Sequence, residues 1–114
     1  MVEKDTATLK HIARHCKEIR SFVERFGNDF NAFTQDRAYF NAVSMCILQI
    51  GELSGNLSEE FKKETSKEIP WSTIKGMRNI VAHGYETLDE KIVWETATID
   101  IPLLLDFCTS KICE

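Results

Sequence analysis

Apolar residues recur at three- and four-residue steps through most of this chain. Leu9, Ile12, Ala13, Cys16, Ile19, Val23 and Phe26 form one stripe, the pattern of a long amphipathic helix that buries a single face. Gly27-Asn28-Asp29 stops it. From about Gln35 to Leu53 the apolar positions fall on two faces, with Ala38, Ala42, Cys46, Ile50 and Leu53 on one and Phe40, Val43 and Ile47 on another. A helix that is apolar on two sides is central or is shared with a partner. Gly51, Ser54 and Gly55 let its end approach another backbone and then break it.

Asn56-Leu57-Ser58-Glu59 has the form of a capping box and opens a short charged helix through Glu64. Pro70 suits a first helical turn, so a further helix begins there with Ile74, Met77 and Val81 toward the core and Gly84 as its stop. Asp89 caps a last helix whose stripe is Ile92, Thr96, Ile99, Leu103 and Phe107, and Pro102 kinks it by removing the hydrogen bond to Thr98. No stretch alternates with period two for long enough to demand a strand. The expectation is an all-α, up-and-down bundle of four main helices plus a short one.

At 114 residues, the chain reads as one domain spanning 1–114. No apolar run approaches the roughly 20 residues needed to cross a bilayer, and the charged start Met1-Val2-Glu3-Lys4-Asp5 lacks a secretory apolar core, so a cytoplasmic protein is expected. In that setting Cys16, Cys46, Cys108 and Cys113 stay reduced, as small core or near-surface residues. His11, His15 and Cys16 alone invite a metal reading, but the paired-cysteine spacing of zinc modules is absent, and neither metal nor cofactor is expected.

The net charge of −4 argues against a general nucleic-acid coat. Its distribution is uneven: residues 1–26 carry six Lys/Arg against four Asp/Glu, whereas residues 86–114 carry two against seven. A basic first helix can be an ordinary solvated face, yet a local RNA groove needs only a few such charges.

The densest chemistry lies in Arg78-Asn79-Ile80-Val81-Ala82-His83-Gly84-Tyr85. A guanidinium neutralises a phosphate through a bidentate fork, and an imidazole moves protons near neutral pH without a cofactor. The same residues have plainer readings: Arg78 as a surface charge, His83 at a helix C-terminus, Tyr85 as packing.

This R-x4-H-x-Y arrangement resembles the signature of the HEPN superfamily, and within it the HepT-like toxins. The likeness extends to Asp36-Arg37-Ala38-Tyr39-Phe40, Ile50-Gly51-Glu52-Leu53, Ile69-Pro70-Trp71, Asp89 and Val93-Trp94, with order and spacing agreeing from Asp36 to Leu105. What the resemblance implies is an all-α, metal-independent endoribonuclease toxin of a type VII-like toxin-antitoxin system. It would act as a homodimer, with Arg78 and His83 as catalytic residues in a cleft between protomers and Asn79 orienting the site. Tyr85 would be the phenol to which a cognate minimal nucleotidyltransferase antitoxin transfers AMP. RNA would be cut to a 2′,3′-cyclic phosphate and a 5′-hydroxyl. The alternative is a non-catalytic HEPN module that binds a nucleotide or a partner protein.

Regular helix geometry separates positions 78 and 83 by about 140° around the axis and about 7.5 Å along it. The pair therefore needs either a helix that ends by Ala82, with His83 turned back, or a second protomer. The expectation here combines both.

Overall fold

The computed structural model describes the backbone of residues 1–84 and 89–113 and the side chains of residues 1–79 and 89–113. Helices α1 (Glu3–Phe26), α2 (Phe30–Gln35), α3 (Arg37–Ser54), α4 (Glu59–Glu64), α5 (Trp71–Gly84), α6 (Glu90–Glu95) and α7 (Ile101–Ile112) follow one another, α6 and α7 being joined by a π turn at Thr96–Asp100. No strand occurs among the described residues. The architecture is the expected all-α bundle, with α1, α3, α5 and the α6–α7 run as its long members.

The two-faced pattern of the second long helix is explained by its place. α3 lies between α1 and α5, and α7 closes against the other side of α1. Phe40, Val43, Ile47 and Ile50 are buried there, and α1 contributes Leu9, Ile12, Ala13, Cys16 and Ile19 from the stripe read in its sequence. Ala38, by contrast, is exposed, because it lies in the first turn of α3.

Two aromatic groups hold the ends. Phe33 and Tyr39 meet edge to face at 5.1 Å, Phe26 stacks on Tyr39 and Trp94 packs on Phe33, which ties α1, α2, α3 and α6 together. Tyr39 donates its hydroxyl to the Gly27 carbonyl at 3.0 Å, just where a φ of +115° turns the chain out of α1. At the other end Phe61, Trp71 and Phe107 join α4, α5 and α7, and the buried Trp71 indole donates to Thr65 Oγ1 at 2.9 Å.

Three expectations need correction. α1 stops at Gly27 as expected, but Asp29 then accepts from the Ala32 amide and starts a short helix, α2, that the sequence pattern did not show. The cap of α4 is Ser58, whose hydroxyl accepts from the Phe61 amide, and not Asn56. The third is the stripe of the last helix. Thr96 and Phe107 are buried as expected, but Ile92, Ile99 and Leu103 are 55%, 58% and 64% exposed, and the buried face runs instead through Val93, Ala97, Ile101, Leu104 and Cys108.

Pro102 accounts for part of that shift. It has no amide to donate, and the chain before it widens so that the Ile101 amide reaches back to the Thr96 carbonyl in the π turn. The expected kink is thus an extra residue absorbed in the helix. Asp89 does cap α6, accepting from the Lys91 and Ile92 amides.

Ser58 also explains why α1 and α4 meet. The Asp5 carboxylate, 1% exposed, accepts from the Ser58 amide at 2.8 Å and from its hydroxyl at 2.6 Å. An acidic group beside a helix N-terminus is favoured by the unpaired amides there. Replacing Asp5 by Ala strands both donors in a partly buried place, and an unfolding titration in urea should show a loss of about 1–3 kcal/mol.

Candidate functional site

α5 starts because Pro70 precedes its first turn, and its apolar face docks Ile74 and Met77 against the core; Val81 lies outside the described side chains. Ordinary ridge-in-groove packing would hold the two helix axes apart. Gly51 on α3 removes that spacing. A Cβ built there would lie 2.6 Å from Arg78 Cβ and 3.2 Å from both the Arg78 Cα and N, so the two backbones come close together at Arg78. The close approach read from Gly51 in the sequence is therefore realised, against the very residue that carries the candidate chemistry.

The residue after Gly51 completes the arrangement. The Glu52 carboxylate accepts from Arg78 Nε, and Asn79 Oδ1 accepts from Arg78 Nη1 at 3.0 Å. Arg78 is thereby held on two of its nitrogens. Both partners of the ion pair are partly exposed, at 38% and 51% of their side chains, so the pair orients the guanidinium more than it stabilises the fold. Glu52 is absent from the candidate site residues of the sequence reading, although it stands within the Ile50-Gly51-Glu52-Leu53 tract. Nothing in spacing alone pairs positions 26 residues apart.

α5 continues through His83 to Gly84. This overturns the expectation that the helix ends by Ala82 with His83 turned back. On a regular helix positions 78 and 83 stay about 140° apart, so one protomer does not put both on one face. The His83 side chain lies outside the described side chains, and Tyr85 lies outside the described residues. The stop assigned to Gly84 falls at the same edge.

One turn before Arg78, Lys75 lines an open groove of about 640 Å³ with Lys62, Lys63, Ser66, Pro70 and Trp71 among its walls. Its basic side chains come from α4 and α5. Glu59 pairs with Lys62 at 3.1 Å.

The sequence trio His11, His15 and Cys16 does not assemble. His11 is exposed, whereas Cys16 belongs to the buried stripe and is fully covered. Cys16, Cys46 and Cys108 are all free and buried, each on a different long helix, and Cys113 is free and exposed. Burial pushes the Cys46 and Cys108 thiols up to about 11 and 12, and Cys16 upward as well, so none is a ready nucleophile near pH 7. No described helix is long and apolar enough to cross a membrane.

Comparison with known proteins adds an independent line. Residues 12–110 match the family model described as Ribonuclease HepT-like. A candidate RNase from Caldanaerobacter subterraneus subsp. tengcongensis is 35% identical over 96 residues, covering 84% of this chain and 83% of that protein. The probable ribonuclease HepT of Thermococcus cleftensis is 34% identical over 96 residues, covering 84% of each chain. A candidate RNase of Methanocaldococcus jannaschii is 31% identical, covering 84% of this chain and 85% of its own. No solved structure gives a significant match.

The contact at Gly51 can be tested directly. Gly51→Ala forces a methyl into the Arg78 backbone and should cost about 1–3 kcal/mol in urea unfolding. Glu52→Gln, which only weakens an exposed ion pair, should change stability by less than about 1 kcal/mol.

Proposed function

Because the chain belongs to the HepT-like ribonuclease family, we propose that it is a metal-independent endoribonuclease toxin whose catalytic residues are Arg78 and His83. The observation that carries this reading is Arg78 itself, fixed by Glu52 and Asn79 where α3 comes close to α5 at Gly51, on the helix that continues to His83.

RNA brings its own nucleophile, the 2′-hydroxyl beside each phosphodiester. His83 removes that proton, or protonates the departing 5′-oxygen, since an imidazole samples both states near neutral pH. The 2′-oxygen attacks phosphorus, the bond to the 5′-oxygen breaks, and the products are a 2′,3′-cyclic phosphate and a 5′-hydroxyl. Arg78 neutralises the extra negative charge of the pentacoordinate phosphate and cannot act as the base, being always protonated. The groove lined by Lys63 and Lys75, the latter one turn before Arg78, offers neighbouring phosphates a basic surface.

A regular helix between positions 78 and 83 favours a homodimer, in which the partner's copy of the site completes the acid and base pair. Neutralisation by a cognate minimal nucleotidyltransferase antitoxin follows the same logic. The Tyr85 phenol oxygen attacks the α-phosphorus of ATP, pyrophosphate leaves, and the added AMP puts an anion beside Arg78 that repels RNA. Such a toxin and its partner would work in the cytoplasm, as a type VII-like pair.

The test is cleavage of total and transfer RNA in EDTA by wild type and His83→Ala, with mapping of the product ends. Wild type should release cyclic-phosphate ends and the variant should lose at least about 100-fold of that activity. Equal, negligible cleavage by both proteins, each folded and free of AMP on Tyr85, would replace the nuclease with a HEPN module that binds a nucleotide or partner.

A further inference from the structure

A second cluster lies on the α1–α3 side of the bundle and uses none of the residues above. His15, Glu18 and Cys46 bring one donor atom each within 4.8 Å of one another. Two come from α1 and one from α3, so the fold assembles them from positions 28 residues apart in the chain. His15 and Glu18 are three apart on α1 and share a face. Cys46 reaches them because α3 packs directly along α1.

The state of these groups is unusual for a plain core contact. His15 Nδ1 is buried and faces the Glu18 carboxylate, with Oε1 3.1 Å away. The Cys46 thiol faces the same point and is only 6% exposed, while Glu18 opens to solvent. An imidazole, a thiolate and a carboxylate together are a borderline-soft set that suits a zinc-type cation, with tetrahedral geometry and room for one further ligand.

We propose that His15, Glu18 and Cys46 form a divalent zinc-class metal site that pins α1 to α3, with water at the fourth, solvent-facing position. In a tetrahedral site such donor atoms lie about 3.3–3.8 Å apart, so the three groups draw together on binding. On binding, the metal–sulfur bond forms as the Cys46 S–H bond breaks, and the proton leaves to solvent.

The local electrostatics fit this exchange. Burial keeps His15 toward its neutral, ligating form, while the Glu18 charge works against that and Arg14 and His11 work with it. For Cys46, burial and Glu18 resist the thiolate and Arg14 favours it. A cation between Glu18 and Cys46 offsets the first two influences. The site stabilises the helix pair whether or not the chain cleaves RNA, so its failure and that of the nuclease are separate results.

The test uses Co²⁺ as a spectroscopic stand-in, added to the full chain carrying Cys113→Ser so that the exposed thiol is removed. One equivalent should produce thiolate-to-cobalt charge-transfer absorption, Zn²⁺ should bleach it, and Zn²⁺ should raise Tm in a concentration-dependent way. Cys46→Ser and His15→Gln should lose the absorption, and Glu18→Gln should weaken affinity by at least about tenfold. If Cys46→Ser fails to fold, His15→Gln decides, since its side chain is less deeply buried and the replacement stays polar. Absence of saturable absorption in the parent, or an unchanged spectrum in His15→Gln, would overturn the site.

Discussion

The contact between Gly51 and the backbone of Arg78 is the constraint from which much of this molecule follows. With no side chain at Gly51, α5 comes so close to α3 that a single methyl would collide with Arg78 Cβ at 2.6 Å. The closeness makes Glu52, the next residue on α3, a partner for a guanidinium on a different helix. A surface arginine ordinarily samples many rotamers. Here the backbone approach and two acceptors restrict it, so its charge is presented in a set direction before any phosphate arrives.

The rest of the bundle keeps that contact in place. α3 is held from its other side by α1, and α1 in turn by α7, so displacing α3 would disturb both of its neighbours. Aromatic groups close the two ends, around Tyr39 and around Trp71, and the second lies at the start of α5 itself. Asp5 extends the same support to α4 through Ser58. The helix bearing the candidate chemistry is thus anchored where it begins, by Trp71 and its bond to Thr65, and along its face by Ile74.

The two candidate sites differ in how the fold treats their charge. Arg78, Glu52 and Asn79 stand partly in solvent, where a polyanion can reach the cation. His15 and Cys46 are turned inward between α1 and α3, where burial disfavours their charged forms. The first arrangement suits a reversible encounter with a large substrate, the second a small ion held between two helices.

Periodicity in the sequence determined the fold class, the long first helix, the two-sided middle helix and the α6 cap at Asp89, because these depend on residues within a few turns of one another. The Arg78-Asn79 pair and the close approach at Gly51 were legible for the same local reason, and so was the family, through tracts whose order survives along the chain. The last helix was not. Of the expected stripe Thr96 and Phe107 are buried, but Ile92, Ile99 and Leu103 face solvent, because the packing of α6 on α2 and α3 and of α7 on α1, with the π turn between, buries Val93, Ala97 and Ile101 instead. Gly84 is read from the sequence as the end of α5, and the helix does run to it; tertiary structure alone decided that Glu52 meets Arg78 and that Cys46 rather than Cys16 faces His15. Both of these contacts turn on the orientation of one helix against another, and a one-dimensional pattern carries the faces of each helix but not which faces meet.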